Sequence, residues 1–531
     1  MKPFSSAGRF KLVSKKGNCN WVDGDIIFGQ HTQQMFDKSE YRTVFGPSFS
    51  SNANMYRDDT VGIRGAVRRI TAKREIETPG LHENLIRNQY SIPGSLTAKW
   101  KIWFQNRLKG NLDKVTDAES ARNEWCNATH PKKVLRVNAQ RDLFADGRLH
   151  SHSTYMRCVD YKCKTGELLP DKKYLRAVGD CTTLGSLKCG YYMDHVKTAF
   201  EGTFQSGYGR CEFVKLPDLS KLRSVFRKLL FPKRGFYFSF FSDDSCVGFK
   251  CSNGTLVANL DISACDGSNY RPVFDILREA MSVDSRFNLD VLGAFLQLEA
   301  YAKVTDPTDS RNKLLMKPVG PVLYSGSVLT TSVNNMANTL IFLSIAIRWR
   351  PEMTKEETIV LIRESANRMG FILKVDICHV MSDVQFLKHS PHLNQNGVID
   401  AVLNLGVLMR GFGTVVRDLP GSSKDNLRDR CNVFNSEVIR GWIHVGNHII
   451  THAFRTKIIA KRSKKPISQG WIVDNVTGRQ LGNISTSELA TRYRLPEVQL
   501  EELAEMIVYA KVGDFICHPA LDVIMAKDYG Y

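Results

Sequence analysis

The chain has 531 residues, 43% hydrophobic and 24% charged, the composition of a folded protein with roughly three subdomains of about 100–200 residues each. Its 73 basic residues outnumber 54 acidic ones, and the net charge of +19 points to a polyanionic partner, because each phosphate neutralised releases condensed counterion. Thirteen cysteines follow no disulfide-like framework, no secretory signal opens the sequence, and the longest apolar run, Leu340–Ile347, is far short of the ~20 residues that span a bilayer. A reducing compartment is therefore expected, and no integral membrane helix is expected within these residues.

Residues 1–150 are irregular and rich in Gly, Ser, Asn and Arg. Within them Lys101-Ile-Trp-Phe-Gln-Asn-Arg107 resembles the recognition helix of a homeodomain. Leu108 stands where a further basic residue belongs, and Pro79-Gly80 and Pro93-Gly94 interrupt the helices that would have to precede it. An amphipathic helix burying Trp103 and Phe104 is expected instead. His150, His152, Cys158 and Cys163 are loosely spaced for zinc and lack a Cys-x-x-Cys. Lys172, Lys173 and Arg176 alternate with apolar residues, a pattern that lines cations along one strand face and suits a triphosphate. A second basic cluster includes Arg223, Arg227, Lys228 and Lys233.

The stretch from Phe236 to Asn269 organises the rest. Two apolar, strand-like runs each end in aspartate: Phe236-Tyr-Phe-Ser-Phe-Phe at Ser242-Asp243-Asp244, and Leu256-Val-Ala-Asn-Leu at Asp261 and then Asp266. Ser252-Asn253-Gly254 supplies a turn between them, so a meander with Asp243 and Asp244 at a hairpin tip is expected. A strand carrying Asp261 beside that hairpin would bring three carboxylates to one edge.

Downstream, Tyr270–Met281 reads as a helix. Ser325-Gly326 is a flexible loop before a helix that carries Thr330, Thr331 and Asn334, becomes apolar from Met336 and ends at Pro351. Thr354–Met369 is a further helix stopped by Gly370, followed by short strands at Phe371–Lys374 and Val384–Lys388. From about Pro391 the sequence reads as mostly helical, most clearly in the segment opened by Pro496.

Carboxylates at a strand edge suit two-metal phosphoryl transfer, for which magnesium uses oxygen ligands. Asp261 and Asp243 are the expected metal ligands and catalytic groups, with Asp244 assisting. These elements together resemble the viral RNA-dependent RNA polymerases. Asp261-x4-Asp266 is similar to their first palm motif, Ser325-Gly326-x3-Thr330-x3-Asn334 to the second and Ser242-Asp243-Asp244 to the third. Lys172, Lys173 and Arg176 resemble the basic fingers motif, Gly370–Lys374 the fourth palm motif, and Phe386-Leu387-Lys388 the hairpin that grips primer and product. The Asp-Asp motif comes before the other two, a permuted order similar to that of birnavirus and permutotetravirus polymerases. Ser242 stands where many relatives carry glycine.

The resemblance implies an α+β right-hand polymerase fold of fingers, palm and thumb, with an antiparallel palm sheet and permuted palm connectivity. Fingers would come from 1–235, a palm from 236–390 with a fingers insertion around 282–320, and a helical thumb from 391–531. It implies two Mg²⁺ or Mn²⁺ ions, ribonucleoside triphosphates as substrates, RNA template and product as partners, and other viral replication proteins beside them. Nucleotide binding would fall to Asp266, Ser325, Gly326, Thr330, Asn334, Lys172, Lys173 and Arg176, with Asp266 and Asn334 reading the ribose 2′-hydroxyl. Lys374 is the implied general acid, with His379 as its competitor. The expected location is the host cytoplasm, in a membrane-associated replication complex or in the virion. A non-enzymatic nucleic-acid-binding protein would share the charge but leave the carboxylates without a task, and a reverse transcriptase would not need the Asp266–Asn334 pair.

Overall fold

The computed structural model describes residues 10–17, 19–22, 25–28, 48–49, 96–129, 159–163 and 177–529, the last stretch with gaps that are longest at 306–310, 412–420 and 464–481. Alternation shapes its centre. In Phe236–Phe241 the side chains of Phe236, Phe238 and Phe240 enter one core and Tyr237 the other, as the period of two in a strand requires. A strand apolar on both faces must be covered on both sides.

Strands β1 (Gly202–Ser206), β2 (Gly209–Phe213), β3 (Phe236–Phe241), β4 (Asp244–Cys251), β5 (Gly254–Ile262) and β6 (Leu373–Ile377) form one sheet in the order β6-β5-β4-β3-β2-β1. Neighbours are antiparallel except β2 and β3. The meander expected from the sequence is therefore present, with β3, β4 and β5 side by side.

Among the helices that build the two cores are, in chain order, α1 (Leu96–Leu112), α2 (Thr183–Phe200), α3 (Leu219–Leu230), α4 (Arg271–Met281), α5 (Thr330–Arg348) and α6 (Lys355–Arg368). They are followed by α7 (Thr486–Tyr493), α8 (Glu497–Tyr509) and α9 (Pro519–Tyr529). One face of the sheet packs on α1, α2, α4, α5 and α6, where Phe236 lies 4.7 Å from Phe249 and 5.6 Å from Phe342 between ring centroids. The other packs on α3 and the C-terminal helices. Gly248 lets α3 approach, since a Cβ there would lie 2.0 Å from the Leu229 carbonyl oxygen. Thr354 and Glu357 close a capping box at the start of α6, so that helix begins one residue after the predicted Thr354.

A second, five-stranded sheet takes Phe10–Lys16, Lys313–Pro318, Ala302–Thr305, Val159–Cys163 and Ala177–Asp180 in that order. The protein is thus a mixed α+β fold with several sheets. No helix among the described residues is long and apolar enough to cross a membrane.

Four expectations change. In α1 the buried stripe is Trp100, Phe104, Leu108 and Leu112, spaced four apart, while Trp103 is half-buried beneath the Arg107 guanidinium. The strand expected at Phe371–Lys374 is β6, two residues later at its start, because Gly370 and Phe371 still bond back to the last turn of α6. Val384–Lys388 is not a strand: Phe386 makes a single bridge to His389, and Leu387 and Lys388 form a tight turn with φ of 50° and 61°. The helical stretch expected from about Pro391 begins only at Leu405. His389–Leu393 and Ile399–Leu403 pair as an antiparallel hairpin, with Pro391 tolerated because its strand has a partner on one side alone.

Candidate functional site

The β3–β4 hairpin is closed by a two-residue loop, Ser242-Asp243, between the register partners Phe241 and Asp244. Ser242 has φ of 56°, as the first loop residue does in hairpins that favour glycine there. Asp243 is exposed at the tip. Asp244 opens β4 and faces Asp261 of β5 as its register partner, and Asp261 in turn faces Lys374 of β6. Three strands so deliver four charged residues to one sheet edge.

The carboxylates are electrostatically strained. Burial raises the Asp261 carboxyl above the usual range and the Asp243 charge raises it further, while Lys374 and Lys388 oppose the shift. Asp244 is pushed up to about 7, chiefly by burial, with Lys388 opposing and Asp243 and Asp261 adding to the rise. Its Oδ2 accepts the Leu387 N–H at 2.9 Å, which turns this carboxylate toward the Leu387-Lys388 turn.

Among the described residues no group of three or more His, Cys, Asp or Glu is gathered so as to hold a metal ion. The expected trio is therefore not closed. What remains is the pair Asp243 and Asp261, two oxygen donors whose mutual repulsion a divalent cation would relieve. That donor set fits magnesium, which is commonly held by one or two carboxylates plus substrate phosphates and water.

Next to this edge lies a polar cluster on α5. Asn334 Nδ2 donates to Asp266 Oδ1 at 2.8 Å and to Ser242 Oγ at 3.3 Å, and its Oδ1 accepts from Asn269 Nδ2 at 3.0 Å. With both ends of the amide engaged, its orientation is set. Asp266 and Asn334, paired in the sequence only through the polymerase resemblance, are in direct contact. Asn269, Asn335 and Asn338 belong to the same cluster and were not predicted. The signal was available: three asparagines at 334, 335 and 338 fall within five residues of a helix that is largely apolar from Met336 onward.

Ser325 and Gly326 form the loop before α5. The Ser325 carbonyl accepts the Gly179 N–H at 2.7 Å, and Thr330 Oγ1 donates to the Tyr324 carbonyl at 3.0 Å, bracing the loop from within. Gly326 has φ of 101°, and a Cβ would stand 2.5 Å from the Gly179 carbonyl oxygen. Gly326→Ala should therefore destabilise the fold by more than about 1 kcal/mol, read as a lowered urea midpoint; an unchanged midpoint would contradict this packing.

The other predicted residues are dispersed. Lys172, Lys173 and Arg176 lie outside the described residues, as do His150, His152 and Cys158; the strand that follows Arg176 is the one against which the Ser325-Gly326 loop packs. Lys374 is exposed, 3.7 Å from Asp376. The His379 N–H donates to Asp383 Oδ2 at 3.2 Å. Phe386 is fully buried, whereas Leu387 and Lys388 are half-buried, and Lys388 Nζ donates to the Asp528 carbonyl in α9 at 3.0 Å. Of the second basic cluster, Arg223 pairs with Asp400 and Lys228 with the buried Glu212, so these cations hold α3 in place.

Five non-glycine residues among those described have left-handed backbone, and four of them, Ser242, Ala264, Leu387 and Lys388, adjoin these aspartates. Strain of this kind persists where surrounding structure over-determines it and gathers at functional sites.

No protein-family model matches the sequence, and no curated protein matches it. Among solved structures the chain is similar to the X-ray structure of the birnavirus VP1-VP3 complex, at 8% sequence identity and a TM-score of 0.38, over 82% of this chain. The chain spans 63% of the length of that one. A likeness so slight assigns nothing, and the functional reading rests on the side chains.

Proposed function

We propose that the chain is a template-directed RNA polymerase that copies a viral RNA genome by nucleotidyl transfer from ribonucleoside triphosphates. The observation that carries the reading is the Asn334–Asp266 hydrogen bond beside the Asp243–Asp261 edge. A ribose 2′-hydroxyl can donate to the Asp266 carboxylate or to the remaining lone pair of the Asn334 amide oxygen, two acceptors that the Asn334–Asp266 contact holds in place. A deoxyribose would leave that polar pair unsatisfied.

In this reading Asp243 and Asp261 hold two Mg²⁺ or Mn²⁺ ions together with substrate phosphates. The ions supply a lowered pKa for the attacking hydroxyl and neutralise charge on the departing pyrophosphate. Asp244 positions the Leu387-Lys388 turn, and Leu387 and Lys388 rather than the buried Phe386 offer surface to a growing strand. Lys374, exposed beside Asp261, is the candidate proton donor to pyrophosphate, and Lys172, Lys173 and Arg176 grip the triphosphate. Ser325, Gly326 and Thr330 hold the loop that borders the sugar site.

The β3–β6 meander would be the palm, within 236–390, with fingers from 1–235 and around 282–320 and a thumb from 391–531. The hairpin bearing Asp243 precedes both the Asp261 strand and α5, which is the permuted motif order. Template and product RNA, other replication proteins and a site in the host cytoplasm belong to the same proposal.

The test is extension of a primed RNA template by purified protein in Mg²⁺, with ribo- and deoxynucleotides compared. Ribonucleotide addition with strong rejection of deoxynucleotides is expected, and RNA binding without any extension would reject the reading. Asn334→Ala should lower the preference for ribose at least about tenfold, since a complete hydroxyl-reading site can discriminate by about 10⁴-fold. An unchanged preference would remove Asn334 from sugar recognition.

A further inference from the structure

The hairpin that carries Asp243 is held at Ser242 by side chains of α5. Asn335 Oδ1 accepts the Ser242 N–H at 2.8 Å, and Asn338 Nδ2 donates to the Ser242 carbonyl at 2.6 Å. Both asparagines are completely buried in α5. Each serves Ser242 with one end of its amide. The other ends, Nδ2 of Asn335 and Oδ1 of Asn338, are buried with no hydrogen-bond partner among the described residues. A half-satisfied buried amide is less stable than an apolar side chain of the same shape. The fold therefore gives up stability at two adjacent positions, and what it obtains is a grip on both peptide groups of one residue.

That residue is the left-handed Ser242, which immediately precedes Asp243. A non-glycine residue keeps such a conformation only where its surroundings enforce it. We propose that Asn335 and Asn338 are positioning residues for Asp243: they lock the hairpin tip so that its carboxylate stays aimed at Asp261. The proposal rests on the reading of Asp243 and Asp261 as a divalent-cation site. It explains why serine serves here in place of glycine, since the clamp supplies the conformational constraint that glycine would accept passively.

The test is Mn²⁺ binding, followed by electron paramagnetic resonance of the free ion, together with thermal unfolding of the full chain. Asn335→Leu and Asn338→Leu should unfold at the same temperature as the parent or higher, yet bind Mn²⁺ about 10-fold more weakly, the size of effect seen when groups that orient metal ligands are lost. Asn335→Ala and Asn338→Ala, which cannot overpack the helix, should show the same weakening if leucine disturbs folding. Parent-like Mn²⁺ affinity in folded leucine and alanine variants overturns the inference while leaving the cation site standing. Failure of the parent itself to bind Mn²⁺, or binding that survives Asp243→Asn, overturns the cation site and the inference with it.

Discussion

Asp261→Asn should reduce ribonucleotide incorporation by about 10³-fold or more, with Asp243→Asn close behind. Asparagine keeps the shape of the side chain and one of its oxygens but removes the negative charge that would hold a divalent cation, and each 1.36 kcal/mol of lost transition-state stabilisation is a factor of about ten. The same substitution relieves the repulsion that raises the Asp261 carboxyl, so the variant should fold at least as well as the parent. Asp244→Asn is the contrasting case. Its Oδ2 accepts the Leu387 N–H, which an amide oxygen can also accept, and burial already pushes its pKa up to about 7. It should keep a substantial part of the activity. Initial rates and thermal midpoints for the three variants check the pattern, and equal loss in all three, or none in Asp261→Asn, would contradict it.

The largest effect on stability is expected away from the carboxylates, where the C-terminal helices brace the Leu387-Lys388 turn. Arg492 in α7 and Asp528 in α9 form an ion pair at 2.7 Å, with side chains 4% and 0% exposed. Tyr493 and the Gly406 N–H also donate to Asp528, while Arg492 donates to the Ser382 carbonyl and to Gln385. Asp528→Ala would leave a buried guanidinium uncompensated, at a cost of about 3–5 kcal/mol. Replacing both partners, as in Arg492→Met with Asp528→Leu, should cost much less, because no charge is then stranded. Urea unfolding of the single and double variants measures the difference. A loss in Asp528→Ala below about 1 kcal/mol, the range of surface pairs, would show that the pair is not sequestered.

The meander of β3 to β5 was legible because its signals are local: alternating aromatic residues, a Ser-Asn-Gly turn and aspartates at strand ends. The Asn334–Asp266 contact was legible for another reason, since the spacing of Ser325, Gly326, Thr330 and Asn334 resembles a known motif. The Leu387-Lys388 turn was not legible. Neither residue favours left-handed backbone, and the bond that holds it comes from Asp244, 143 positions earlier in the chain. The asparagine clamp was hidden for a similar reason. Asn335 and Asn338 follow helical spacing like any core position, and their partner is a loop in another motif. Asp244 acquires a partner that the sequence does not show: read beside Asp243 as an assisting metal ligand, it also accepts the Leu387 N–H.

A template-directed polymerase must select each ribonucleotide by pairing it with the RNA template. Incorporation measured on homopolymeric RNA templates, one labelled ribonucleotide at a time, tests it most directly. Mg²⁺-dependent addition of the complementary nucleotide alone is expected on each template, lost in Asp261→Asn. Addition that ignores the template, or none while RNA binding is intact, would contradict it.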